Sequence, residues 1–156
     1  MEQEEIIRYV EATFPGVEVL RPTDGPGAGD TFFFHDPRRD LDPARRMPFA
    51  TIVAKDYPGF DESSRLDRLG VFRLNVGLKR DTFRALFGDP AGDGAATGHD
   101  HAALDRLMPH PVYGDQWWVS VLNPSPATFA AIRPLLADAY AKVAARFAAG
   151  RPEPDA

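Results

Sequence analysis

The sequence predicts an α+β fold: a mostly antiparallel sheet of about five strands with its helices packed on one face. Three observations carry this expectation. The order of elements is helix, four strands, two short helices, strand, long helix, which lacks the regular β–α alternation of a doubly wound parallel sheet. Within Gly70–Gly77, residues Phe72, Leu74 and Val76 point one way and Arg73 and Asn75 the other. One sheet face is therefore core and the opposite face partly polar. Only the helices expected at 3–14 and 126–148 offer apolar stripes long enough to cover the core face, so both belong on it.

Ile6, Ile7, Val10 and Phe14 recur at helical spacing, and Pro15-Gly16 ends that helix. Val17–Leu20 is a short strand. Pro22–Gly29, with three glycines and two prolines, is a loop. Strands follow at Asp30–His35, Pro48–Lys55 and Gly70–Gly77, joined by the charged stretch Arg38–Arg46 and the polar loop Asp56–Leu69. Phe83, Leu86 and Phe87 mark a short helix stopped at Gly88, and Ala102–Met108 reads as a second. The last strand is Trp117–Leu122. Ser125-Pro126 then supplies an N-cap and a first-turn proline for a long helix striped by Phe129, Ile132, Leu136, Tyr140, Val143 and Phe147. Pro134 lies inside that stripe, so a bend or a new helix start is expected between Ala131 and Leu135.

The 156 residues suit one globular domain, taken as 1–149, with a flexible tail at 150–156. Apolar residues at 44% and aromatics at 11% suffice for a core. The chain has no cysteine, which removes disulfides, thiolate metal sites and cysteine nucleophiles. The acidic N-terminus does not look like a secretory signal, and no apolar run spans a membrane, so a soluble cytoplasmic protein is expected. The net charge of −5 argues against a nucleic-acid partner. Fifteen of the eighteen cationic residues are arginine, a bias that with abundant Ala, Pro, Gly and Asp matches a GC-rich bacterial genome. The sequence specifies no oligomeric state.

The most informative stretch is Met108–Trp118, which gathers His110, Tyr113, Trp117 and Trp118 where a loop becomes a strand. Loops on rigid scaffolds present binding groups. With Arg73 and Asn75 from the polar sheet face, these residues form the candidate ligand site. Arginine grips carboxylate or phosphate bidentately, histidine changes charge near neutral pH, and indole and phenol offer flat faces with polar edges. Arg73→Ala is then expected to weaken an anionic ligand while leaving stability little changed. Consecutive tryptophans in a strand face opposite ways, so one belongs to the core and the other to the site. His110 is the candidate catalytic residue. The blander reading makes Pro109-His110-Pro111 a rigid turn and the indoles core and rim.

Other motifs carry less. His35 beside Asp36 is a strand-end histidine rather than an acid–base pair, since neighbours in a strand diverge. The Asp89–Asp100 span has partial calcium-loop spacing, but Ala91 stands at position three and Asp100 replaces the longer bidentate glutamate required at position twelve. Gly98–His101 with Asp93 is explained by a helix cap, so no metal is assigned. Gly25–Gly29 lacks the lysine and the following helix of a phosphate loop. No cofactor motif is present.

Gly70–Gly77, Lys79–Gly88, Leu104–Tyr113 and Trp118–Pro124 together resemble a family of short uncharacterised actinobacterial proteins, a domain-of-unknown-function family that brings no known activity. Thr31–Phe34, the strand opening with Trp117-Trp118, and Leu135–Tyr140 resemble the MmcQ/YjbR-like proteins. That second resemblance implies a double-wing fold and a DNA-binding role. Three functional classes follow: a small-molecule-binding or accessory protein using the aromatic and arginine-lined sheet face, a small enzyme with His110 as general acid or base, and a nucleic-acid or protein interaction module. The third would use a basic stripe of Arg38, Arg39, Arg45 and Arg46.

Overall fold

Among the described residues, six antiparallel strands form one sheet, and three α-helices accompany it. The computed structural model describes residues 1–42, 46–89 and 98–150, Gly150 by its backbone alone. In chain order the elements are α1 (Gln3–Thr13), β1 (Val17–Leu20), β2 (Thr31–His35), β3 (Ala50–Val53), β4 (Arg73–Gly77), α2 (Arg80–Phe87), β5 (Met108–Pro109), β6 (Trp118–Leu122) and α3 (Pro126–Gly150). The strand order is β1-β2-β3-β4-β6-β5. No helix among the described residues is long and apolar enough to cross a membrane.

Strand register sorts the side chains into two faces. Val19, Phe33, Ala50, Val76 and Val119 stand opposite one another across the sheet, and so do Thr31, Ile52, Leu74 and Val121. This face is covered by Ile6, Ile7 and Val10 of α1 and by Phe129, Ile132, Leu136 and Ala139 of α3, all in one buried cluster. The expected one-face arrangement is what forms. Aromatic edges tie it together: Tyr9 meets Phe129 at 5.3 Å between centroids, and Phe14 stacks on Tyr140 at 4.9 Å. Each fully buried large apolar side chain here contributes about 1.5–3 kcal/mol.

The opposite face carries the row Phe32, Thr51, Asn75, Ser120 and Met108, flanked by Arg73 and Trp118. Period-two alternation thus separates Arg73 and Asn75 from the core, as the sequence predicts.

Local chemistry sets the ends of the elements. The Ser125 Oγ accepts the Thr128 N–H at 3.2 Å, capping α3 with Pro126 in its first position. Glu5 accepts the Glu2 N–H at 2.9 Å at the start of α1. β4 begins at Arg73 rather than Gly70, because the Asn123 side chain takes the Phe72 N–H and donates to the Gly70 carbonyl.

Two expectations are corrected. Residues 102–108 form no helix. Asp105 takes a left-handed φ of 58°, Leu104 bridges Leu122, and Met108 pairs with Ser120 as a sixth strand. Pro109 disfavours helical backbone just before it, and β6 offers an open edge. Of the bend or new helix start expected at Pro134, the new start does not form: α3 continues through the proline. Pro134 and Ala130 both lie on the exposed side, where the freed Ala130 carbonyl can turn to water. Ile132, Leu136 and Ala139 hold both halves of the helix against the sheet.

Candidate functional site

The polar sheet face is roofed by three loops, and between them lies a cavity of about 380 Å³. Its floor comes from β3, β4 and β6 through Thr51, Arg73, Asn75 and Trp118. One loop contributes Met47 and Pro48, a second Tyr57, Phe60 and Asp61, and the third His110, Tyr113 and Gln116. Five of the six candidate residues therefore meet: Arg73, Asn75, His110, Tyr113 and Trp118. Trp117 does not. It adopts a left-handed φ of 68°, packs against the core, and sits under the Lys142 ammonium at 5.2 Å. The 3₁₀ turn Gly114–Gln116 leads into this residue, and the two indoles leave the chain in different directions. Trp118 lies across Gly77, where any Cβ would come within 2.8 Å of the ring.

Arg73 is completely buried. Its guanidinium forms a fork with Asp61, at 3.0 Å to Oδ1 and 2.6 Å to Oδ2. Nη1 also donates to Ser64 Oγ at 2.9 Å, and Nε to Asn75 Oδ1 at 2.7 Å. The same Asn75 oxygen accepts the Ser120 hydroxyl at 2.8 Å, and Asn75 Nδ2 donates to Thr51 Oγ1 at 3.0 Å. These three polar side chains stand in direct cross-strand register, which makes the network a product of the sheet itself. Burial opposes ionisation of Asp61. The hydrogen bonds and charge of Arg73, helped by His110 and His101, outweigh it and hold the carboxyl below its ordinary range. The Arg73 charge is thus already met from within the protein. That corrects the expectation of an arginine free to grip an external anion.

His110 is 3% exposed. Its Nδ1 accepts the backbone N–H groups of Val112 and Tyr113, both at 3.0 Å, and its Nε2 lies 3.3 Å from Arg73 Nη2. Burial, then the Arg73 charge, push its pKa down to about 3. The ring is neutral near physiological pH.

A second polar centre occupies the cavity wall. Asp30 accepts the Ala54 N–H at 3.0 Å and a short hydrogen bond from the Tyr57 hydroxyl. Burial, and then Asp30, raise the Tyr57 pKa, so the phenol keeps its proton. Lys55 lies 5.4 Å from the Tyr57 ring centroid and donates to the Ala28 carbonyl. The formal charges of Arg73, Asp61, Asp30 and Lys55 balance. Around them the walls are apolar, from Phe32, Val53 and Trp118, with Met47, Phe60 and Tyr113 at the exposed rim.

A family model described as a family of unknown function, DUF6194, matches residues 1–152. The chain belongs to that family. No curated protein and no solved structure matches it.

For this DUF6194 chain, Asp61, Tyr57, Asp30 and Ser64 are site residues that the sequence reading missed. One signal was present: Tyr57-Pro58-Gly59-Phe60 is a turn in which Gly59 takes a φ of 76° and the Phe60 N–H returns to the Tyr57 carbonyl. That turn brings Tyr57 and Asp61 opposite each other as an antiparallel bridge. The other candidates do not join the site. His35 packs edge-on against Tyr140 and Phe147, while Asp36 accepts the N–H groups of Asp40 and Leu41. Arg46 binds Glu18 at 2.8 Å and covers the Phe34 ring, and Arg39 donates to the Val17 carbonyl. Arg45, Asp93 and most of the Asp89–Asp100 span lie outside the described residues, as does the tail beyond Gly150.

Proposed function

We propose that this protein binds a small, uncharged, largely apolar molecule in the cavity on the polar face of the sheet. One observation carries the reading: an apolar cavity of about 380 Å³ with a few fixed polar groups at its floor, the composition typical of small-molecule sites. The Arg73–Asp61 fork supports a neutral ligand over an anion, since a second carboxylate would compete with Asp61 for donors already engaged. Phe60 and Tyr113, whose rings meet at 6.1 Å, supply an aromatic rim.

The alternative of an enzyme with His110 as general base draws no support from its surroundings. Nδ1 is occupied by two backbone donors, and the ring is reluctant to take a proton. An interaction module of the MmcQ/YjbR-like, double-wing kind rests on sequence resemblance, and Arg39 and Arg46 engage their own chain. The proposal includes a cytoplasmic, actinobacterial setting, on the cysteine-free, arginine-rich composition.

A thermal-shift screen of uncharged one- and two-ring compounds against matched carboxylates and amines tests the reading. Neutral compounds are expected to raise Tm, and Val53→Phe, which adds a ring to the cavity wall, to abolish the effect. Stabilisation by carboxylates alone, or an effect untouched by Val53→Phe, would refute it.

A further inference from the structure

We infer that the cavity floor holds a two-donor seat for one carbonyl oxygen, made by His110 Nε2–H and the remaining N–H of Arg73; this rests on the cavity being a ligand site. The tautomer of His110 decides it. A ring nitrogen that accepts two N–H groups has no proton of its own, and Nδ1 accepts from both Val112 and Tyr113. The single proton of the neutral imidazole is therefore on Nε2.

Facing Nε2 at 3.3 Å is Arg73 Nη2, and a guanidinium carries donors only. Four of the five guanidinium N–H groups go to Asn75, Ser64 and the two oxygens of Asp61. The fifth points at the His110 nitrogen. With a proton on each nitrogen the two N–H groups cannot both lie along the 3.3 Å line between them, so they must turn toward a common acceptor, and neither satisfies the other. Both side chains line the cavity, His110 at 3% exposure and Arg73 at 0%. Buried donors in native proteins find acceptors, and leaving them without one is unfavourable.

An oxygen with two free lone pairs, seated on the cavity side of the pair, satisfies both donors at once. A carbonyl oxygen meets that description. A hydroxyl must also place its own hydrogen, and a carboxylate adds charge where Asp61 already neutralises Arg73 and Asp30 lies on the wall. The seat therefore selects neutral ketones, esters and amides carried on an apolar body.

Three probes of one shape separate the possibilities: acetophenone, α-methylstyrene and benzoate, which differ in presenting a carbonyl, a methylene or a carboxylate. Nitrogen NMR of the labelled protein first reports the His110 tautomer, and a proton on Nδ1 would overturn the inference. Affinities are then read from the indole N–H of Trp118, which lines the same cavity. Acetophenone is expected to bind roughly tenfold more tightly than α-methylstyrene, as two modest hydrogen bonds allow, and more tightly than benzoate. His110→Asn retains an oxygen for the Val112 and Tyr113 N–H groups but deletes the Nε2 donor. It should bring the acetophenone to α-methylstyrene ratio close to one. Equal binding of these two to the wild type would overturn the seat and leave the cavity reading standing, and tightest binding of benzoate would replace it with an anion site. A Trp118 signal unmoved by all three probes would overturn the cavity reading and the seat together. Should His110→Asn not fold, the wild-type ratio and the tautomer decide.

Discussion

Asp61 holds Arg73 by two parallel hydrogen bonds, 3.0 and 2.6 Å long, beneath the polar face of the sheet. The carboxylate comes from a loop closed by Pro58-Gly59, and the guanidinium from β4. The pair therefore fastens the cavity roof to its floor while removing the positive charge that the strand alone would present.

Arg73→Ala should accordingly be a stability variant. It strands Asp61 at 6% exposure, and breaking one side of a buried pair costs about 3–5 kcal/mol. Urea denaturation measures this directly. Loss of less than about 1 kcal/mol, within the range of exposed ion pairs, would show that the fork is not formed.

Acid should weaken the fold through His110. Its pKa falls from an ordinary 6.5 to about 3 on folding, so between those values the unfolded chain binds the extra proton and the folded one does not. Stability then rises with pH across that window and is lost on acidification through it, by on the order of 5 kcal/mol at most. Asp61, held low by Arg73, adds to the loss below the carboxylate range. Unfolding midpoints recorded from pH 8 to pH 4 (roughly the accessible part of the window) should fall more steeply in the wild type than in His110→Asn. Parallel curves would contradict the buried neutral ring.

Gly77→Ala tests the seating of Trp118. The new Cβ would stand 2.8 Å from two indole carbons, so the ring must shift. A destabilisation of about 1–3 kcal/mol and a changed Trp118 indole resonance are expected. An unchanged resonance would show that the indole is not packed there.

Pro134→Ala should stabilise the protein. The proline lies on the exposed side of α3, where it removes one helical hydrogen bond and clashes with the preceding turn. A gain of about 1–2 kcal/mol is expected, after allowing for the greater freedom that alanine gives the unfolded chain. Destabilisation would mean that Pro134 makes a contact the helix needs.

What the sequence made legible has a common physical basis. The two-residue period of β4 separated Arg73 and Asn75 from Phe72, Leu74 and Val76, and the three-to-four spacing of α1 and α3 identified their buried sides. Trp117 and Trp118 diverge as the two-residue period expects, but the left-handed turn at Trp117, just before β6, parts them rather than the strand period. Asp61 was missed because no period governs a loop, and its partner Arg73 lies twelve residues away on another element. Tyr57 and Asp30, twenty-seven apart, were missed for the same reason. The helix expected at 102–108 failed because its apolar residues serve the open edge of β6 instead, an outcome set by tertiary structure. Arg73 was correctly assigned to a face, but its charge could not be judged without its partner.

The two neighbouring indoles provide the most direct test of the central claim, that the cavity on the polar sheet face takes up an uncharged apolar molecule. Trp118 lines the cavity, while Trp117 packs against the core beside Lys142. In a titration of the labelled protein with neutral aromatic ketones, followed through the two indole N–H resonances, Trp118 should shift saturably while Trp117 stays in place. A shift confined to Trp117, or no saturable shift at either indole, would contradict the account.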